Sequence, residues 1–361
     1  MNRVNARRQG RILAWTAGLF VVLQLVGSVA LDYVWPEVRF PLLAAMLDRL
    51  KAEPCRPHAF ILGSSRFQSS LDAAELSHEL RILTGQSDFR VFHAAVGGSD
   101  AITMELAFNE ILDAGHRPKF VFIEMTPVTI ARGTRWYGMH INRLIRWDDL
   151  PTHCGEIVRA GEGGRLLLER FVPLYRHRYE ICKTLRTRLN VFAPPPVHYA
   201  AADPLANGMT DSEWRQHLTP RTMTEEEAGR GGSGADMVQR EVRHFGVPGN
   251  AHAALERILV RCQALGITPF LVGAPVSQSF REACAPVRSA YLSQLSELKS
   301  KYDTAFFDTH ASLPEHHFMD YHHTTKTGAI VFSRLLARQQ LAPILAPGRT
   351  VPAQTVVFPR P

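Results

Sequence analysis

A chain of 361 residues is long enough to bury one large core, or a core that carries an elaborated insertion. Its 41 basic and 34 acidic residues leave a formal charge of +7, spread along the chain rather than gathered in one tail. That mild excess suits a membrane surface or an anionic polymer. With no helix-turn-helix pattern, zinc-finger spacing or aromatic RNA-binding motif, no nucleic-acid partner is expected.

The first element is apolar. Arg3, Arg7, Arg8 and Arg11 precede ILAWTAGLFVVLQLVGSVAL, Ile12 to Leu31, whose most polar member is Gln24. About twenty such residues span the hydrocarbon core as a helix, and arginines before them keep the N-terminus cytoplasmic. The expectation is a single-pass anchor in the cytoplasmic (inner) membrane, with the rest of the chain in the periplasm or another extracytoplasmic space. Ser28-Val29-Ala30 also reads as a signal-peptidase site, which leaves a cleaved signal peptide as the alternative. A buried soluble helix does not fit, because the stretch has no polar face. Cys55, Cys154, Cys182, Cys262 and Cys284 contain no CxxC pair, so neither a disulfide scaffold nor a zinc site is expected. An exported chain can oxidise some of them, and the odd count leaves at least one unpaired within a single molecule.

After the anchor, short β-rich runs alternate with helical patterns. HAFIL (His58 to Leu62), FRVFHAA (Phe89 to Ala95) and KFVFIEM (Lys119 to Met125) read as strands. AITMELAFNEILDAG, Ala101 to Gly115, lies between the second and third with helical spacing and a glycine stop. Downstream, AHAALERILVRCQALG is helical, ITPFLVGAP a strand, Val287 to Lys301 helical, AFFD (Ala305 to Asp308) a fifth strand, and Thr325 to Gln339 a closing helix. Such alternation predicts an α/β fold: a three-layer sandwich around a parallel five-stranded sheet.

The middle breaks this rhythm. From Arg132 to about Phe192 the chain is basic and helical in pattern, with interleaved aromatics, as in RLLLERFVPLYRHRYEICKTLRTRL. It reads either as a surface resting on lipid headgroups or an acidic polymer, or as an insertion with a solvated basic face. Ala193 to about Gly249, rich in Pro, Gly and charge, reads as a loop or linker. The predicted divisions are 1–34 (cytoplasmic stub and anchor), 35–130 (first part of the α/β domain), 131–249 (basic insertion and flexible loop), 250–345 (second part) and 346–361 (disordered tail).

In an open parallel sheet, active groups collect outside the carboxyl ends of the strands. Three such ends carry unusual residues: Gly63-Ser64-Ser65 after the first strand, Gly97-Gly98 after the second, and FMDYHHTTKTG before the closing helix. A serine, a glycine turn and an Asp/His pair on one rim are the parts of covalent acyl transfer. Ser65 and Ser64 are both available as nucleophile. Arg66 is expected in a surface salt bridge or against an anionic group. Asp100 and Glu124, at strand-end loops, read either as groups that support the site from behind or, the preferred reading, as a helix cap and a solvent-facing side chain respectively. His310, His316, His317, His322 and His323 lack the HxxxH spacing of a metal helix, so no metal and no cofactor is expected.

These residues resemble the SGNH (GDSL-like) hydrolase superfamily, whose fold is flavodoxin-like. FILGSSR matches its first block with Ser64 in the Asp place and Ser65 as nucleophile. DYHHTTKTG matches its last block with His323 as base, Asp320 orienting it, and Gly328 following. The resemblance implies an oxyanion hole formed by the backbone N–H groups of Ser65 and Gly98. The third block, Gly-x-Asn-Asp, has no counterpart; the chain reads IEMTP there, and Thr126, the nearest polar group at that strand end, is the candidate third member of the oxyanion hole. That departure, with GITPFLVGAPVS and FMDYHHTTKTGAIVFSRLL, is similar to the membrane-anchored branch of cell-envelope acylation, in alginate O-acetylation and teichoic-acid D-alanylation systems. The resemblance covers about half of the chain. It implies a serine acyltransferase or esterase. Its partners would be an acyl-donor ester or a membrane-bound O-acyltransferase, and a polysaccharide acceptor. A catalytically weak scaffold for polysaccharide binding or export is the reading from outside enzymology.

Overall fold

The computed structural model describes residues 3–131, 142–189, 232–243, 245–246 and 249–345. They form an α/β protein in two compact units, one of residues 1–45 with 137–203 and the other of 46–136 with 204–361. The basic insertion therefore belongs with the apolar N-terminal helix, a different division from the five segments expected.

The larger unit is built on five parallel strands: β1 (Ala59–Leu62), β2 (Val91–His93), β3 (Phe120–Met125), β4 (Thr268–Gly273) and β5 (Ala305–Phe307), in the order β2-β1-β3-β4-β5. The strands are mostly apolar because a parallel sheet is buried on both faces, Glu124 on β3 and His93 on β2 being polar exceptions. Ala59, Phe60, Ile61 and Leu62 are all sealed from solvent, as are Val121, Phe122 and Ile123. The central pair β3–β4 runs through six register partners, from Phe120 with Thr268 to Met125 with Gly273. The outer strands are shorter than their sequence runs because they pair on one side only; β2 meets β1 over three residues. Ile61, Val91, Phe122, Phe270, Val272 and Phe307 share one core with Phe67, Leu76, Leu80 and Phe332 from the helices Ser65–Ser70, Ala73–Thr84 and Lys326–Leu335, and with Leu336 from the π-helical turn Leu336–Leu341 that follows.

The chain visits β1, then β2 on one side, then β3 on the other. The order reverses between β1 and β3, which opens a crevice above their carboxyl ends. Both the serine loop and Glu124 lie there.

The stretch taken as a linker contains a helix, Gly232–Val242, whose Val238 and Val242 are buried and which contacts the helix Gln278–Cys284. The pattern missed it because its apolar residues are few and set among glycines. The expected linker from 193 to 231 and the expected tail from 346 lie outside the described residues.

In the smaller unit, one helix, Arg3–Tyr33, includes a 26-residue stretch, Arg8–Tyr33, long and apolar enough to cross a membrane. The insertion folds into the helices Leu150–Arg159, Gly163–Phe171, Pro173–Arg176 and Arg178–Leu189, preceded by a turn at Asn142–Leu144. All five cysteines are free thiols, with Cys262 and Cys284 buried.

Candidate active site

The serine loop leaves β1 as Gly63-Ser64-Ser65 and turns at once into the helix Ser65–Ser70. Ser64 caps that helix, its Oγ accepting from the Arg66 N–H at 3.2 Å. Ser64 and Arg66 are buried while Ser65 between them is half-buried, so Ser65 is the hydroxyl presented to solvent. Glu124, fully buried on β3, accepts from the Ser64 N–H at 2.6 Å and from the Ser64 hydroxyl at 2.9 Å. It also takes the Arg66 Nε–H at 2.6 Å. The expected solvent-facing Glu124 and surface Arg66 are thus corrected: they form a buried ion pair that holds the serine loop. Gly63 is required by the same crowding, since a Cβ there would stand 2.8 Å from the Glu124 carboxylate and from Phe67.

The Asp/His loop is tied down on three sides. Phe318 bridges Thr324, and the Met319 N–H donates to the His323 carbonyl at 2.8 Å. Thr324 donates its hydroxyl to the Ser69 carbonyl at 2.6 Å, which anchors the loop to the serine's own helix. Ser277, after β4, donates its hydroxyl to the Tyr321 carbonyl at 2.7 Å. Thr325 then caps the closing helix, accepting from the Gly328 N–H at 3.1 Å.

These ties bring together residues 258 positions apart. His323 Nε2 lies 2.9 Å from Ser65 Oγ, and His323 Nδ1 lies 2.7 Å from Asp320 Oδ2. A carboxylate only accepts, so Nδ1 carries the hydrogen and Nε2 is left to accept from the serine hydroxyl. Asp320 Oδ1 also accepts the backbone N–H groups of His322 and His323, at 2.8 and 2.7 Å. Burial works against the Asp320 carboxylate, but the His323 hydrogen bond and the two neighbouring imidazoles prevail and hold its pKa well below the usual range.

Gly98 sits in a turn closed by the Ser99 N–H on the Val96 carbonyl, with a left-handed φ of 71°. The Val96 N–H donates to the Gly63 carbonyl at 2.9 Å, so this turn adjoins the serine loop. Gly98 is half-buried while Gly97 and Ser99 are buried. Thr126 does not offer its hydroxyl to this space. It is fully buried as the cap of the turn Pro127–Ile130, with Oγ1 2.8 Å from the Thr129 hydroxyl. Asp100 caps the helix Ala101–Asp113, accepting from the Thr103 N–H at 2.9 Å.

Asp320, His322 and His323 could each turn a ligand atom toward one ion, since these atoms lie within 4.8 Å of one another. A metal there would compete with the Asp320–His323 hydrogen bond. The remaining loop histidines do not converge on that point. His310 sits between Asp308 Oδ1, at 2.6 Å, and the Met125 carbonyl, at 3.0 Å, while His316 lies against His317 with the rings tilted 44° and their centroids 4.3 Å apart.

The sequence reasoning missed the Glu124–Arg66 pair. The readable signal was a single carboxylate inside an otherwise apolar strand, which a sheet covered on both faces must pair. No protein-family model matches the chain, and no curated protein matches it.

Proposed function

We propose that the protein is a membrane-anchored SGNH-like serine acyltransferase acting in the periplasm, which O-acetylates a cell-surface or exported polysaccharide. The observation that carries this reading is the continuous Ser65–His323–Asp320 hydrogen-bond chain at the carboxyl edge of the sheet, beside the strand-order reversal. The parallel sheet with both faces buried and the flavodoxin-like strand order support a three-layer SGNH arrangement.

In the first half-reaction, Ser65 Oγ forms a bond to the donor's acyl carbon as its proton passes to His323 Nε2. Asp320 stabilises the imidazolium and fixes its orientation. The oxyanion is received by the backbone N–H groups of Ser65 and Gly98. Collapse breaks the bond to the donor's alcohol or thiol, which leaves with the proton from His323. In the second half, a sugar hydroxyl gives its proton to His323 and its oxygen attacks the acyl-serine; the acyl–Oγ bond breaks and His323 returns the proton to Ser65 Oγ. Water in place of the sugar makes the protein an esterase. The partners are a membrane-bound O-acyltransferase or other acyl-ester donor, and the polysaccharide.

The position of Thr126 favours a second reading. With its hydroxyl committed to Thr129, the oxyanion hole has backbone donors alone, which suits a slow enzyme or a non-catalytic scaffold in a polysaccharide export complex. One experiment separates them. Full-length protein in detergent is incubated with an activated acetyl ester and digested for mass spectrometry. An acetyl adduct on the Ser65 peptide, lost in Ser65→Ala, is expected; its absence from the wild type rejects the enzyme and leaves the scaffold. Oligosaccharide acceptors that speed deacylation then distinguish transfer from hydrolysis.

A further inference from the structure

We infer that residues 163–176 are a re-entrant, lipid-embedded element, two short helices lying against the anchor within the outer half of the bilayer. This rests on the reading of the N-terminal helix as a membrane anchor. The partner is therefore the acyl-chain region of a phospholipid bilayer.

Depth is the first argument. The helices Gly163–Phe171 and Pro173–Arg176 both contact the helix Arg3–Tyr33. The face they meet includes the buried Gln24, Ser28 and Leu31, with Gly27 so close to Leu174 that a Cβ there would stand 2.9 Å from its side chain. Small residues on such a face let helices approach within a membrane. The Leu174 N–H donates to Gln24 Oε1 at 3.2 Å. Gln24 lies seven residues back from Leu31, the end of the apolar run, or about 10 Å along a helix rising ~1.5 Å per residue. Leu174 is thus level with the interior of the outer leaflet, not with bulk water.

Backbone accounting is the second. Where one helix ends at Phe171 and the next begins at Pro173, first-turn N–H groups lose their intrahelical acceptors. Water would supply an acceptor on a soluble protein, whereas at membrane depth the protein must. Gln24, the most polar residue of the apolar run, supplies one to Leu174.

Polarity is the third. Glu169 and Arg170 of this segment, with His177 just after it, point inward and are paired, while Arg165 and Arg176 at its two ends reach the surface. Arg170 Nη1 lies 2.7 Å from Asp32, Glu169 accepts from Arg176 at 2.7 Å and faces His177 at 2.7 Å, and Glu169, Arg170 and His177 are buried. Leu166 packs inward, but most of the large apolar residues point outward, with Leu167 57 %, Leu168 49 %, Phe171 48 % and Tyr175 63 % exposed. A helix facing water shows the reverse, whereas ionisable groups at membrane depth turn inward to partners. Tyr175 and Tyr179, each under the Arg178 guanidinium at 4.3 and 4.4 Å, have the aromatic-plus-basic character of the headgroup boundary.

The test places full-length protein in phosphatidylethanolamine/phosphatidylglycerol vesicles containing a phospholipid with a diazirine on its acyl chain. After photolysis, labelled peptides are mapped by mass spectrometry. Label is expected both in Ile12–Val29 and in 163–179. The double variant Leu168→Asp/Phe171→Asp should keep the anchor label and lose roughly tenfold of the segment label, as a carboxylate is expelled from hydrocarbon. Both side chains are exposed, so folding, checked by thermal melting, should be retained. Label on the anchor alone overturns the inference. Label on neither shows that the anchor reading itself has failed and takes the inference with it. Segment label that rises steeply as protein is diluted in lipid identifies a second copy as the occupant, which also overturns it.

Discussion

At the scale of single residues, the serine is presented by a carboxylate that does no chemistry itself. Glu124 holds Ser64 and Arg66, the two neighbours of Ser65, and both of its oxygens are used. Removing one member of a buried ion pair costs about 3–5 kcal/mol, because the other is left charged and unpaired. Glu124→Ala should therefore lower the melting temperature markedly, and Glu124→Ala/Arg66→Met should recover most of that loss. If the pair also positions Ser65, the double variant will fold well yet form the acyl-serine more slowly. Equal acylation rates in the double variant and the wild type would reduce Glu124 to a purely structural role. Asp320→Asn provides the complementary case. An amide can offer its oxygen to Nδ1 but carries no charge to stabilise the imidazolium, so acylation should fall by two or more orders of magnitude, about the scale of such triad changes, with little change in melting. Ser65, Asp320 and His323 could be named from the sequence because each lies in a short loop directly after or before a clear element. Glu124 could not, since a carboxylate at a strand end looks the same whether it faces water or the arginine of a neighbouring loop.

Secondary-structure elements explain why the loops hold their geometry. The helix Ala101–Asp113 begins at Asp100, whose carboxyl burial pushes up from an ordinary 3.8 to about 6, against the lowering effect of the Thr103 hydrogen bonds. The folded state thus binds that proton more tightly than the unfolded chain. Between about pH 4 and 6 the unfolded carboxyl has already ionised while the folded one has not, so this group's contribution falls as pH rises through that window and is level above it. Asp100→Asn should remove that slope, which urea midpoints measured from pH 4 to 7 would reveal; an unchanged slope would assign it to other groups. The strands β1, β3 and β4 were legible because both-face burial writes them as largely apolar runs, broken in β3 by Glu124 alone. The helix Gly232–Val242 was not, because its fold-determining contacts are with the helix Gln278–Cys284, forty residues on, and its own composition is that of a loop. The π-helical turn Leu336–Leu341, which continues the closing helix, likewise has no local signature, since Leu336, Ala337 and Leu341 fit either helical period.

At the scale of the whole molecule, topology and division decide what the protein can reach. Cys55, Cys154 and Cys182 are exposed and free. An extracytoplasmic location predicts that a membrane-impermeant thiol reagent labels all three in intact spheroplasts, with no gain on permeabilisation. Labelling only after permeabilisation would put the sheet domain on the cytoplasmic side and end the periplasmic proposal. The smaller unit was hidden from the sequence because its seam includes Asp32 paired with both Arg39 and Arg170 at 2.7 Å, a convergence of residues up to 138 positions apart. The same convergence bears on processing. Excision after Ala30 would carry away Gln24, Gly27 and Ser28, leaving Leu174 without its amide partner and Trp147 Nε1 without the Ser28 hydroxyl. A shed, freely diffusing form would have to rebuild that seam from nothing. The apolar helix is therefore built into the smaller unit's own packing.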